Sequence, residues 1–240
     1  RYDGSTWAWG VNDAGEHGDG TTSGKVVPTQ IRPVDDWDAA SGGAYHSVAV
    51  RADGTLWASG WNAFGQLGDG TTTDRTTIVA VGTDDDWELV SAGGLHTLAV
   101  KADGSLWAWG ANADGQVGDG TTVERHAPVP IGSATWTAVA AGTSHTLGIQ
   151  TDGTLWSWGL NDWGQLGHGD TTTWDEPTQV GGDADWVAVA AGYGHSLALK
   201  SDGTLWAWGS NGYGQVGNGT LTDVLGPTPV GGGTASAAIG

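Results

Sequence analysis

The chain has no cysteine and no methionine among its 240 residues, one phenylalanine, and only eight lysines and arginines against 27 aspartates and glutamates. Each shortage excludes something. Without cysteine there is no disulfide, no thiolate nucleophile and no cysteine-ligated zinc. A formal net charge of −19 argues against nucleic acid and anionic membranes, which are bound through clustered positive charge. No apolar run approaches the ~20 residues needed to span a bilayer, so membrane insertion is not expected. Without methionine, Arg1 is expected to follow a removed segment: a signal peptide, a propeptide or the rest of a longer protein. The first is the commonest and would make the protein extracellular, with a cytoplasmic location as the alternative.

Glycine (44 residues) and tryptophan (16 residues) are abundant instead. The tryptophans recur at fixed phases, which a solvated linker does not require. GHSLALKSDGTLWAWGSNGYGQVGNGT, from Gly194 to Thr220, returns as variants beginning at His46, His96 and His145, and in shortened form at Tyr2. The glycine closing each Trp-Ala-Trp-Gly falls at Gly10, Gly60, Gly110, Gly159 and Gly209, a period of 50 with one copy a residue short. Self-similarity at such a period marks a repeat architecture. The chain is therefore one array over residues 1–240, beginning and ending inside a repeat.

Within the unit, Asp-Gly recurs at Asp3, Asp53, Asp103, Asp152 and Asp202. The dipeptide predicts a two-residue hairpin turn with positive φ at both positions. Closed there, Leu199 faces Trp206 and Leu197 faces Trp208, with Ala198 and Ala207 on the other face. A sheet apolar on both faces needs cover on both sides. WVAVAAG (186–192) reads as an inner strand, and the proline-bearing EPTQV (176–180), APVPI (127–131) and GPTPV (226–230) as edge strands. Four short strands per unit, stacked radially and without a helical period, predict an all-β fold, a β-propeller with about five repeats.

The pattern AGxxHSLAL-x-x-DG-x-L-WAWG-x-N-x-x-GQ-L/V-G-x-G-T resembles the regulator of chromosome condensation repeat family across essentially the whole chain. That resemblance implies a propeller, commonly seven-bladed, that binds proteins; known activities in the family include guanine-nucleotide exchange on a small GTPase and inhibition of a β-lactamase. Five repeats depart from the usual ring, and no insertion stands out that would supply exchange activity. The final TASAAIG (234–240) has the phase of WVAVAAG, and the strand that should follow it is absent. Three arrangements meet this phase gap: a piece of a longer propeller, a five-bladed ring with a defective closing blade, or a polymer in which another copy donates the strand.

Repetition also sorts the side chains. His46, His96, His145 and His195 occupy equivalent places in different units and are expected to be buried structural groups, not metal ligands or catalysts. Asn62, Asn112, Asn161 and Asn211, with Asn12, are expected to hold turns, tolerating left-handed backbone. The GDGTTTD (68–74) and GDGTTVE (118–124) loops lack the alternating carboxylates of a calcium loop, so turn chemistry explains them and weak cation binding is the minor reading. No metal or cofactor is expected, nor any catalytic group. Ser59 interrupts a register otherwise held by Trp9, Trp109, Trp158 and Trp208, and Trp61 is expected to fill the space it leaves. Phe64, Trp163 and Tyr213 occupy one variable phase, and Tyr45 and Tyr193 lie in variable positions just before their histidines. Aromatics not demanded by the shared fold either pack locally between adjacent loops or make a binding rim. The expected function is a non-enzymatic scaffold binding a protein or a glycan, with a structural subunit made of copies of itself as the alternative.

Overall fold

The computed structural model describes residues 5–32 and 36–231. It is all strand and loop, and the strands follow the repeat. The first unit contributes β1 (Thr6–Gly10) and β2 (Lys25–Arg32), a two-stranded sheet. The second is a four-stranded antiparallel meander of β3 (Trp37–Gly42), β4 (His46–Arg51), β5 (Leu56–Gly60) and β6 (Arg75–Ala80). The third runs β7 (Trp87–Ala92), β8 (His96–Lys101) and β9 (Ser105–Gly110) into the long β10 (Arg125–Ala141). The second half of β10 opens the fourth unit, completed by β11 (His145–Gln150), β12 (Leu155–Gly159) and β13 (Trp174–Gln179). The fifth is β14 (Trp186–Ala191), β15 (His195–Lys200), β16 (Leu205–Gly209) and β17 (Val224–Pro229). Each unit is a blade of a β-propeller. TASAAIG and the turn at Asp3 lie outside the described residues.

The strand roles follow the reading of the sequence. In the fourth and fifth blades the alanine-rich strand and the proline-bearing strand lie on opposite sides of the blade, with β13 and β17 at sheet edges where a missing N–H costs no ladder bond. In contrast, β10 carries its prolines inside one seven-stranded sheet that joins the third and fourth blades. The register does not. Leu199 faces Leu205, and Leu197 faces Ala207, while Ala198 and Ser196 face Trp206 and Trp208. Ala198 and Ala207 therefore lie on opposite faces. The cause is the turn: Gly203 N–H donates to the Lys200 carbonyl, Lys200 N–H donates to the Thr204 carbonyl, and only Gly203 has positive φ (84°). This is a three-residue loop with a glycine bulge, which shifts pairing by one place relative to a two-residue turn. The Asp202 carboxylate accepts both the backbone N–H and the hydroxyl of Thr204, holding the aspartate in the turn without left-handed backbone.

The corrected register explains the stacking. One face of a blade carries Leu, Val and Ala, and the other carries Trp and small residues. The core lies between blades: Val48, Val50, Leu56 and Ala58 of the second meet Trp87, Ala99 and Trp109 of the third. Leu98, Leu106 and Ala108 meet Trp136 and Trp158 in the same way one seam on. Burying a large apolar side chain contributes about 1.5–3 kcal/mol, so these interleaved faces supply the main cohesion between blades. The shortened repeat also has its explanation. All three connectors turn at a glycine with positive φ, Gly82, Gly132 and Gly181. The connector 131–136, however, is one residue shorter than 81–87 and 180–186 and stays in strand as it passes from pairing with β9 to pairing with β11. Thr135 faces Ser105 and the next residue, Trp136, faces Gln150.

Candidate binding rim

In an antiparallel meander the loop between the first two strands and the loop between the last two emerge at the same end of the sheet. Every variable aromatic lies in one of those loops. Their common base is a network repeated at three seams. At the seam of the second and third blades, Thr97 Oγ1 donates to the Gln66 carbonyl at 2.8 Å, and Trp109 Nε1 donates to the same oxygen at 2.9 Å. With the threonine proton so committed, His46 Nε2 is the donor to Thr97 Oγ1 at 2.9 Å. His96 and Thr146 meet over the Gln116 carbonyl, and His145 and Ser196 over that of Gln165. Burial pushes the imidazole pKa down to about 4 at His46. Burial, with smaller contributions from neighbouring histidines, takes His96 and His145 to about 3. These histidines are neutral clasps between blades. His195, in the last described blade, is only half buried.

The asparagines hold the loops above this base. Asn112 Nδ2 donates to the Thr121 and Val123 carbonyls, and its Oδ1 accepts Val117 N–H at 2.9 Å. Asn62, Asn161 and Asn211 repeat the arrangement, and all four are fully buried. None has positive φ, so the asparagine acts through its side chain and not through left-handed backbone. The aspartates of the Gly-Asp-Gly-Thr loops turn inward in the same manner. Asp69 accepts Thr71 and pairs with Arg75 at 2.6 Å, and Asp119 does so with Arg125. Among the described residues no group of three or more His, Asp or Glu is placed to hold a metal.

On this frame stand two aromatic groups. Tyr45 meets Trp61 edge-on with centroids 5.6 Å apart, and Trp61 meets Phe64 likewise at 5.6 Å. Trp163 of the fourth blade meets Tyr193 of the fifth at 5.8 Å. Trp163 lies over Gly194, where a Cβ would fall 2.7 Å from its ring. Phe64 and Trp163 are half buried, whereas Tyr45, Tyr193 and Tyr213 are 52 %, 71 % and 95 % exposed. Tyr213 makes no ring contact among the described residues. Trp61 is thus a rim residue and does not fill the space beside Ser59. Ser59 Oγ donates to the Glu16 carbonyl at 3.2 Å, the position that a tryptophan N–H takes at other seams, and borders a cavity of about 760 Å³ between the first two blades. The signal for Trp61 was its phase, which varies among Val11, Trp61, Ala111, Leu160 and Ser210 as freely as that of Phe64.

Ser157 and His168 are a pair that sequence reading passed over. Ser157 Oγ donates to the Leu166 carbonyl at 2.7 Å, so His168 Nε2, 3.0 Å away, is a donor to the hydroxyl and not a base for it. Ser157 is fully buried as well. The pair ties a loop down.

The model of the regulator of chromosome condensation (RCC1) repeat matches residues 3–50, 53–100, 103–149, 152–199 and 202–238, and a second model of the same repeat matches four segments within 38–215. The chain belongs to the RCC1 repeat family. The crystal structure of human WBSCR16 is similar to it at a TM-score of 0.81 and 25 % identity, covering 94 % of this chain and 62 % of that one. Yeast RCC1 (Prp20) bound to Kap60 matches at 0.82 and 22 %, covering 95 % and 57 %. Prp20p of Saccharomyces cerevisiae, in a structure described together with its binding to Gsp1p and histones, matches at 0.79 and 23 %, covering 95 % and 59 %. This RCC1-repeat chain spans about three fifths of the length of these structures. No curated protein sequence matches it. RCC1-repeat propellers serve largely as scaffolds that bind proteins.

Proposed function

We propose that this protein is a non-enzymatic scaffold that binds a protein partner through the variable aromatics of one rim. The observation that carries the reading is the pairing of Trp163 with Tyr193 across a blade seam, with Tyr213 exposed in the later rim loop of the fifth blade, on loops whose repeated asparagines are committed to internal hydrogen bonds. Rigid aromatics presented by a stiff frame are efficient anchors. Partner binding by the yeast RCC1 relatives accords with this use of the fold. A glycan, which also stacks on aromatic rings, is the other ligand class suited to the rim. Peptide-display selection against the protein tests the proposal. Selected binders are expected to lose about tenfold or more in affinity to a Trp163→Ala, Tyr193→Ala double variant, as loss of an interface hot spot does. Binders indifferent to both changes overturn it.

A second reading is favoured by the cavity beside Ser59. The sheet of β1 and β2 has two strands among the described residues where complete blades have four, and the cavity lies between it and β3, β4 and β5. Strand addition from another copy would build an extracellular polymer there. Light scattering across a dilution series decides it: dilution-resistant particles support assembly, and a monomer at every concentration removes it.

A further inference from the structure

The rim carries an excess of negative charge. Between its two aromatic groups, at the seam of the third and fourth blades, the phase of Phe64 and Trp163 is held by Asp114. The turn at Gly115 approaches Asp175 so closely that a Cβ there would lie 2.7 Å from the Asp175 Cβ, and a Cβ on nearby Gly120 would lie 2.6 Å from Glu176 Oε1. Asp175 and Glu176 are exposed, as is Asp162 beside Trp163. The cations of the described side chains are engaged elsewhere. Lys25, Arg75 and Arg125 pair with Asp19, Asp69 and Asp119. Lys101, Lys200 and Arg51 lie over tryptophan pairs at the opposite end of the blades.

Those internal cations show which chemistry this fold accommodates. Lys200 Nζ sits 4.7 Å from the Trp186 ring and 5.2 Å from the Trp206 ring, and bonds to Asp183 at 2.6 Å. A ring face with a neighbouring carboxylate is a receptor for an ammonium or guanidinium group. The rim presents the same two components, and its own cations, Lys25, Arg75 and Arg125, are taken up by Asp19, Asp69 and Asp119. We infer that the partner docks through an extended lysine- or arginine-rich segment, with its cations over Trp163, Tyr193 and the Asp114–Asp175–Glu176 seam. This rests on the scaffold reading and specifies the chemistry of its partner.

The test is a titration of the whole chain with a short arginine-rich peptide, a glutamate-rich peptide and a neutral glycine-serine peptide carrying the same fluorophore. The basic peptide alone is expected to bind, more weakly as salt rises. Tyr193→Ala, at an exposed side chain that the fold does not need, and an Asp114→Asn, Asp175→Asn double variant are each expected to weaken it about tenfold, the upper range for a cation–π or charge contact. Asp85→Asn, on the opposite end, is expected to leave it unchanged. Equal loss with Asp85→Asn, or none with Tyr193→Ala, overturns the inference by showing a diffuse field. Neutral display-selected binders that need Trp163 while basic peptides fail to bind leave the scaffold standing and remove its basic partner. Indifference of every ligand to the aromatic variants removes both.

Discussion

At the scale of single residues, the same position in successive repeats acts as an internal control. Ser59 stands where Trp109, Trp158 and Trp208 are fully buried. The glycine that makes room for that tryptophan is retained as Gly18: a Cβ there would lie 2.9 Å from Ser59 Oγ, as one on Gly68 would lie 2.6 Å from Trp109 Nε1. Ser59→Trp is therefore predicted to enter the cavity, donate its indole N–H to the Glu16 carbonyl and raise the denaturation free energy by about 1–2 kcal/mol, part of the value of burying a large apolar side chain. A denaturant midpoint that stays put or falls would show that the space is not shaped for an indole. Asn112→Ala should act in the opposite direction. It orphans the Val117 N–H and two carbonyls in a buried loop, and a loss of about 2–3 kcal/mol in the same assay is expected. Asp114→Ala, two residues away on the rim, should cost little.

At the scale of the strand and its connector, side chains change in sets. In the third and fifth blades a lysine between two tryptophans is closed by two aspartates, Asp84 and Asp86 for Lys101 and Asp183 and Asp185 for Lys200. Burial works against each lysine's charge but is outweighed by these bonds, which raise its pKa. In the fourth blade all three members are replaced together, by Gln150, Ser133 and Thr135. Joint loss implies coupling, so Lys200→Gln, Asp183→Ser and the double variant should give a double-mutant interaction energy of about 0.5–1.5 kcal/mol. A value near zero would reduce the set to independent surface contacts. Much of this level was legible in the sequence. Proline placed the outer strand, alanine and glycine the inner one, and Asp-Gly the hairpin. The register was not, because Asp-Gly fits both a two-residue and a three-residue loop and the choice depends on the φ of the aspartate. Nor was the Trp163–Tyr193 pair, since rings from adjacent blades meet only once the seam geometry is known. Trp61 was assigned inward because strand parity continues through Gly60, whereas the chain leaves the sheet there with Trp61 N–H donating to the Tyr45 carbonyl.

At the scale of the whole molecule, the histidine clasps make cohesion between blades dependent on acidity. Their folded pKa values, about 4 for His46 and about 3 for His96 and His145, lie below the 6.5 of an unperturbed imidazole. The unfolded chain thus binds more protons in that interval. The stabilisation is complete above pH 6.5 and is lost progressively as pH falls towards 4 and 3. Between pH 7 and 4.5, above the range where most carboxylates titrate, the denaturant midpoint should drop by an amount worth up to about 8 kcal/mol, at about 1.4 kcal/mol per pH unit below 6.5 for each of the three histidines. Constancy over that range would place the histidines outside the cooperative core. One more property follows from β10, in which adjacent residues Thr135 and Trp136 belong to the ladders of different blades. At the other connectors Trp87 and Trp186 also donate to the preceding blade, at the Gly54 and Gly153 carbonyls. Each of those connectors, however, is a residue longer and leaves the strand conformation that 131–136 keeps throughout. Under tension applied to the two ends of the chain, the third and fourth blades should yield together, in one long extension where their neighbours give single steps.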